Sequence, residues 1–404
     1  MRDTISAPAL ARSPVERRHD ELLGRAVELA SVFAERAPRT EDLRRLPPES
    51  ERDLHESGLY RMLQPQAVGG AELGYESLIT IGAALAAGCA STAWNLTNLA
   101  SHHWMLAMFP PAAQDRVWNE DRDALIASSF VFPAARVAKA PGGYVLSGRW
   151  PFSSGVDVCG WNMLAGIVRE DGAAPDHRVF LLPRTDYRIL DTWQVTGLKG
   201  TGSNDVVCEE VFVPEEMTVS VAHLKGGGTP GAERHPAPLY RLPVFALFPA
   251  ILSGVGLGNG EGALTDHVAS TRMRAARYSG ARLAELQSVQ IHIGSAATRL
   301  SHARRMMLAI CQEAMRDAAR GHVPDPVTKF AYRRDLAFAT GLTTQAVDEI
   351  NGAGGAQALY LSGSAQRRFR DAHAISAHIA FSTDVANAAF GRLALGMEAD
   401  NPAV

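Results

Sequence analysis

The chain has 404 residues, long enough for two or three domains, and sets 40 Lys and Arg against 43 Asp and Glu for a net charge of −3. That balance excludes nucleic acid or an anionic membrane surface as the main partner, since both require a basic surplus. Cys89, Cys159, Cys208 and Cys311 lie far apart with no Cys-x-x-Cys pair, which argues against a zinc site and for reduced, mostly buried thiols of a cytoplasmic protein. Met1 to Val27 mixes Arg, Asp and Glu without the apolar core of a signal peptide, and no run reaches the roughly 18 apolar residues of a membrane span. A soluble intracellular protein is expected.

Residues 1–123 read as a helical domain. Leu22, Leu23, Val27, Leu29, Ala30 and Phe33 recur near the 3.6 spacing, and Pro47-Pro48 punctuates the next start. Pro65, Gly69-Gly70 and Gly74 break the helices. Alanine-rich helices follow over about Tyr75–Ala87 and Ser91–Leu106.

From 124 to 224 the period changes to two, which predicts a β sandwich or barrel. Its strands are Leu125–Phe130, Arg136–Ala140, Gly143–Ser147, Trp161–Val168, Arg178–Pro183, Tyr187–Thr192 and Asp205–Val213. Within it, the stretch Gly142 to Gly155 opens on a Gly-Gly turn and carries Trp150 and Phe152 at the alternating spacing that puts two aromatics on one strand face. Ser153, Ser154 and Gly155 follow at once. An aromatic wall ending in small donors suits a flat heteroaromatic ligand, although a plain sandwich strand with an exposed turn has the same composition.

Residues 225–238, with Gly226-Gly227-Gly228, Pro230-Gly231 and Pro236, have the composition of a flexible linker. Residues 239–404 return to helical periodicity over Ala250–Arg277, Leu283–Arg320, Asp325–Ile350 and Gln366–Leu395, broken at Asn351-Gly352-Ala353-Gly354-Gly355, as a four-helix bundle. Gly256, Gly258, Gly260 and Gly262 do not have the Gly-x-Gly-x-x-Gly spacing or the strand–turn–helix context of a dinucleotide loop. They read as small residues for close helix packing, which leaves the chain with no nicotinamide-binding domain of its own.

This order of helices, β domain and helical bundle resembles the acyl-CoA dehydrogenase superfamily, and within it the oxygenase components of two-component flavin monooxygenases. The resemblance rests on Ala90-Ser91-Thr92-Ala93-Trp94 with Ser101-His102-His103-Trp104, on Leu146 through Gly155, on Gly197-Leu198-Lys199-Gly200-Thr201-Gly202-Ser203-Asn204-Asp205, and on Arg367 through His373 with His378. It implies that a separate NAD(P)H:flavin reductase supplies reduced FMN or FAD. The flavin reacts with molecular oxygen to a hydroperoxide, and that species hydroxylates an aromatic substrate such as a phenol or indole.

By the same resemblance His102 is the base beside the substrate, Ser128 (in preference to Ser129) a hydrogen-bond partner of substrate or peroxide, and His378 the histidine at the flavin's reactive edge, with His373 in reserve. Spacing alone puts His373 and His378 about 140° apart if one helix carries both. Trp150, Phe152, Ser153 and Ser154 would meet the flavin ring, Ser153 or Ser154 at its nitrogen N5. Thr201, Ser203, Gly354 and Gly355 are implied as further flavin contacts. Arg274 and Arg277, with Arg272 as the alternative, precede Tyr278-Ser279-Gly280 and would bind the flavin phosphate, for which guanidinium forks are suited. No metal is expected, and the alanine-rich helices predict a homotetramer.

Two other functions compete. An acyl-CoA dehydrogenase proper requires a carboxylate base, but after Arg370-Asp371-Ala372-His373 come Ile375, Ser376 and His378 in place of the usual Glu-Gly-Thr. A non-catalytic scaffold would have no use for polar residues at Ser128, Ser153 and His378. Within the oxygenases, N- or S-oxygenating relatives remain an alternative to hydroxylation.

Overall fold

The computed structural model describes residues 12–275, 280–398 and 401–404. The N-terminal helices are α1 (Pro14–Leu43), α2 (Pro48–Ser57), α3 (Ser77–Ala86), α4 (Ala90–Leu106) and α5 (Pro111–Trp118). α1 begins at a capping box in which Ser13 and Glu16 satisfy each other's backbone N–H groups, with Pro14 as the first helical residue. Leu22, Ala26, Phe33 and Ala37 form its buried stripe. α4 is different: all 17 of its residues are buried, polar ones included.

Eight strands follow: β1 (Ile126–Ser129), β2 (Ala135–Ala140), β3 (Gly143–Ser153), β4 (Trp161–Val168), β5 (Asp176–Pro183), β6 (Arg188–Leu190), β7 (Asn204–Pro214) and β8 (Thr218–Ser220). They make two four-stranded sheets, ordered β1-β4-β5-β8 and β2-β3-β7-β6. Every pair is antiparallel except β1 with β4. β3 runs six residues past the Ser147 expected from the sequence, because the Gly148 step is absorbed as a register shift against β7. β8 is too short to leave a periodic signal.

The C-terminal helices are α6 (Val244–Arg272), α7 (Gln287–Ala319), α8 (Pro326–Gly354), α9 (Ser364–Ser376) and α10 (Thr383–Ala394). The bundle therefore has five helices among the described residues, not four. The run expected over Gln366–Leu395 breaks where His378 accepts the Ala380 N–H through its ring Nδ1 and Ser382 caps α10. His373 and His378 consequently do not share a helix. The glycines after Asn351 do not interrupt α8 until Gly355, whose φ is +58°.

α6 is apolar all round and long enough to cross a membrane, but most of it is buried against α3, α4, α7, α8 and α9. Its glycines set the spacing to α3. A Cβ on Gly258 would sit 2.0 Å from the Ala83 carbonyl oxygen, and one on Gly254 2.7 Å from that of Leu78, so backbone meets backbone there.

The segment 225–238 has the composition of a flexible linker, yet it is docked. Gly231 donates to the Met108 carbonyl, Arg234 pairs with Asp115, and buried His235 bonds Gln114 at 2.8 Å. α9 ties the regions together. Arg368 reaches Asp266 of α6 and the Ala87 carbonyl after α3. Arg370 reaches Glu41 of α1 and the Thr196 carbonyl, and the Asp371 carboxylate accepts the Leu198 N–H at 2.7 Å.

Candidate active site

Because α4 is buried on every side, its polar side chains must find partners inside the protein or present themselves to a ligand. His102 does both. Its Nδ1 lies 2.6 Å from the Ile126 carbonyl oxygen on β1. A carbonyl only accepts, so Nδ1 carries the proton and Nε2 is a bare lone pair. That Nε2 is buried and has no partner among the described residues. Burial pushes the imidazole pKa down to about 4 against a smaller upward pull from Ile126, so the ring is neutral and basic at pH 7.

A circuit of ring contacts runs from this histidine. His102 meets Phe130 edge-on at 6.2 Å, Phe130 meets Phe248 at 5.9 Å, Phe248 stacks on His378 at 6.0 Å, and His378 meets Trp94 at 5.8 Å. Trp94 then donates its indole N–H to Ser154 Oγ at 3.1 Å. α4, β1, α6, the turn after α9 and the end of β3 thus converge. His378 accepts at Nδ1, so its Nε2 bears the proton, the reverse of His102. Burial and the nearby Arg333 hold its pKa at about 4.

Arg333 is placed there by α6: Pro249 has no N–H to give the Phe245 carbonyl, and the Arg333 guanidinium donates to that oxygen instead.

The paired serines separate. Ser129 donates to the Pro151 carbonyl at 2.6 Å, while Ser128, on the side of β1 shared with Phe130, makes no side-chain hydrogen bond among the described residues. Ser153 is fully buried and accepts from Asn162 at 3.0 Å. That bond ties the end of β3 to β4. Ser154 is the one in the circuit.

The single strand face expected to carry Trp150 and Phe152 together is corrected. Trp150 is fully buried and donates to the Ala165 carbonyl at 2.8 Å, whereas Phe152 is 61% exposed with φ +67°. A register shift between Trp150 and Ser153 breaks the alternation that would have set both aromatics on one face. Phe152 stands edge-on to Trp193 at 6.3 Å and can wall a flat ring; Trp150 cannot.

Thr201 and Ser203 are buried behind Ser154, within hydrogen-bonding distance of one another. Arg274, Gly354 and Gly355 do not join. The antiparallel course of α6, α7 and α8 puts them at the opposite end of the bundle, with Arg274 about 40 Å along α6 from Phe248. Arg277 lies outside the described residues. His373 is exposed and paired with Asp348 at 2.8 Å, away from the circuit.

Sequence reasoning missed Phe130, Phe248 and Arg333 and gave Trp94 no role. The Phe245-x-x-Phe248-Pro249 pattern was the available signal: two aromatics one helical turn apart, and a proline that strips a carbonyl of its donor.

The residues fit a flavin. At the end of β3 the exposed Phe152 ring, the Ser154 hydroxyl and the Gly155 turn, with φ +70°, follow one another in the chain and supply a flat apolar face and a hydrogen-bonding group for such a ring.

Comparison with known proteins gives the same answer. Residues 19–120 match the family model "Acyl-CoA dehydrogenase, N-terminal domain", and residues 250–383 match its "C-terminal domain". The chain is 36% identical to the flavin-dependent monooxygenase oxygenase subunit HsaA of Rhodococcus jostii (strain RHA1), over 91% of this chain and 97% of that one. It is 34% identical to the oxygenase component of the FADH(2)-dependent resorcinol hydroxylase of Rhizobium sp. (strain MTP-10005), over 98% and 99%. Among solved structures, XiaF from Streptomyces sp. in complex with FADH2 and glycerol superposes with a TM-score of 0.87 at 26% identity, covering 96% of this chain and 98% of that one. The chain belongs to the oxygenase components of flavin-dependent monooxygenases, built on the acyl-CoA dehydrogenase fold.

Proposed function

We propose that this enzyme hydroxylates a phenol-like aromatic, using reduced flavin delivered by a separate NAD(P)H:flavin reductase. The observation that carries the reading is the buried lone pair on His102 Nε2, unpartnered among the described residues, beside the Phe130 ring. Bound reduced flavin supplies the two electrons that activate oxygen. Everything else falls to the chain. His102 Nε2 accepts the phenolic proton, which raises electron density on the ring to be attacked. The Ser128 hydroxyl orients the phenol oxygen, and His378 holds a proton at Nε2 that it would donate to bound oxygen. Phe130, Phe245 and Phe248 keep water out.

Phe152 and Ser154 would hold the flavin ring, Ser154 at its nitrogen N5. An acyl-CoA dehydrogenase reading is disfavoured by the same geometry. No carboxylate is in the circuit of rings, and Asp371 is committed to the Leu198 N–H.

The enzyme is a homotetramer in this proposal. Phe338, Leu359, Tyr360, Leu361, Val385 and Leu395 leave apolar surface on the C-terminal helices that a second copy would cover. Arg274, Gly354 and Gly355 would then serve the flavin of a neighbouring protomer near a subunit boundary. FAD is favoured over FMN because the resorcinol hydroxylase is FADH(2)-dependent and XiaF holds FADH2. A cytoplasmic location suits the reductase and the free thiols.

The test is to mix the purified, colourless protein with chemically reduced FAD or FMN, oxygen and resorcinol or a related phenol. Hydroxylated product stoichiometric with reduced flavin is expected. Copurification with tightly held FAD that an acyl-CoA reduces would transfer the enzyme to the dehydrogenases.

A further inference from the structure

The turn after β3 and the loop before β7 bring three buried hydroxyls into line. Trp94 Nε1–H donates to Ser154 Oγ at 3.1 Å. Ser154 Oγ lies 2.7 Å from Ser203 Oγ, and Ser203 Oγ lies 2.7 Å from Thr201 Oγ1, which in turn is 3.0 Å from the Leu198 carbonyl oxygen. The alignment is fixed at both ends. Gly155 N–H donates to the Thr201 carbonyl at 2.9 Å, and the Asp371 carboxylate holds the Leu198 N–H.

Three hydroxyls carry three protons, so the row has two ordered polarities. In one, Ser154 donates to Ser203, Ser203 to Thr201 and Thr201 to the Leu198 carbonyl. Ser154 then accepts from Trp94 and keeps one lone pair for a ligand. In the other, Thr201 donates to Ser203 and Ser203 to Ser154, so the Ser154 proton has no acceptor except a ligand. With no ligand acceptor in reach, the second polarity leaves a buried donor unmade, and the first is the resting state. The bias is shallow, since the Leu198 oxygen already accepts from Thr201 N–H at 3.1 Å and Trp193 Nε1–H at 3.0 Å.

We propose that Thr201 and Ser203 are positioning residues that make the site prefer reduced over oxidised flavin by fixing Ser154 as an acceptor. This rests on the proposed contact between Ser154 and flavin N5. Reduced flavin bears hydrogen on that nitrogen and donates, whereas oxidised flavin has only a lone pair there and requires Ser154 to donate. Oxidised flavin therefore binds only after the whole row has reversed.

The experiment measures dissociation constants of the full chain for reduced and oxidised FMN and FAD, anaerobically, by ultrafiltration and flavin fluorescence. Wild type should favour the reduced form. In Thr201→Val, Ser203 loses its acceptor and turns its proton onto Ser154, so the preference should shrink by about two- to tenfold, the worth of one hydrogen bond. A tenfold change equals a fall of about 30 mV in the bound flavin's two-electron potential gap. Thr201→Ser should restore the wild-type ratio. Equal weakening of both redox states in Thr201→Val, or no rescue by serine, would mean that Thr201 only packs, and the relay is then wrong. Ser154→Ala separates the two levels. If it leaves both affinities untouched, the placement of flavin at Ser154 falls, and the relay with it. If it alters them while Thr201→Val leaves the ratio unchanged, only the relay falls.

Discussion

The two sides of α4 hold adjacent histidines with the same burial and opposite chemistry. On the side toward β1, His102 donates through Nδ1 to the Ile126 carbonyl and is left with a basic Nε2 beside Phe130. On the side toward α5, His103 accepts the Trp118 indole N–H at Nδ1, 3.2 Å away, stacks on that ring at 6.3 Å and faces the Gln64 amide. Its proton is therefore on Nε2, and it offers no base. Burial drives both pKa values down, to about 4 and about 3. Burial and pKa shift alone do not tell which ring nitrogen is left as a base; the identity of the atom opposite Nδ1 does.

The largest expected effect tests that distinction directly. His102→Ala should slow hydroxylation by roughly 10²–10⁴-fold, the usual worth of a general base. Oxygen should still be consumed and released as hydrogen peroxide. Raising the pH should partly restore a phenol substrate, which then ionises unaided. In wild type the low pKa of His102 predicts no inflection in kcat/KM at pH 6.5, where an ordinary histidine would titrate. Such an inflection would show that the lone pair is not the working group.

His378→Ala should fail differently. Loss of a pre-organised donor should lower product formed per oxygen consumed by about 10²-fold, with no rescue by base. Matching pH responses in the two variants would show that the roles are wrongly divided.

His103→Phe should leave kcat/KM unchanged and cost about 1–3 kcal/mol of stability, because the buried Trp118 N–H loses its acceptor. Urea unfolding at pH 7.5 with a parallel activity assay reads both.

The smallest effect is shared. His102, His103, His235 and His378 have folded pKa values near 4, 3, 4 and 4, below an unfolded value of 6.5. The unfolded chain thus binds more protons between these limits, and their contribution to stability is full above pH 6.5 and lost as pH falls toward 4. Glu51 and Asp371, raised to about 7 and about 6 by burial, act in the opposite sense, so the net slope is that of the excess histidines. Melting temperature should fall from pH 6.5 to 5, more gently in His103→Phe.

Much of the fold was legible because periodicity changes with architecture, from 3.6 to 2 near residue 124 and back after the glycine-rich segment. His102, Ser128 and Ser154 could be singled out by resemblance to a family motif. Their orientation could not be read, since it depends on which atom a folded neighbour presents. Trp150 shows this most plainly: one register shift cancels the alternation and moves it from the expected ring wall into the core. The docking of 225–238 was hidden for a related reason, because a glycine that permits flexibility also permits the close approach Gly231 makes to the Ala107 carbonyl.

The contact of Gly254 and Gly258 with α3 has a consequence for engineering. Helices that meet through side chains can slide by small amounts as those side chains repack, whereas two backbones in contact have no such slack. Phe248 lies less than two turns from Gly254 on the same helix, so its backbone position is set by α3 and is not adjustable. Room for a bulkier aromatic guest has to come from trimming or rotating Phe130, Phe245 and Phe248 themselves. Attempts to make that room by altering the glycines would disrupt the scaffold before they changed what it accepts.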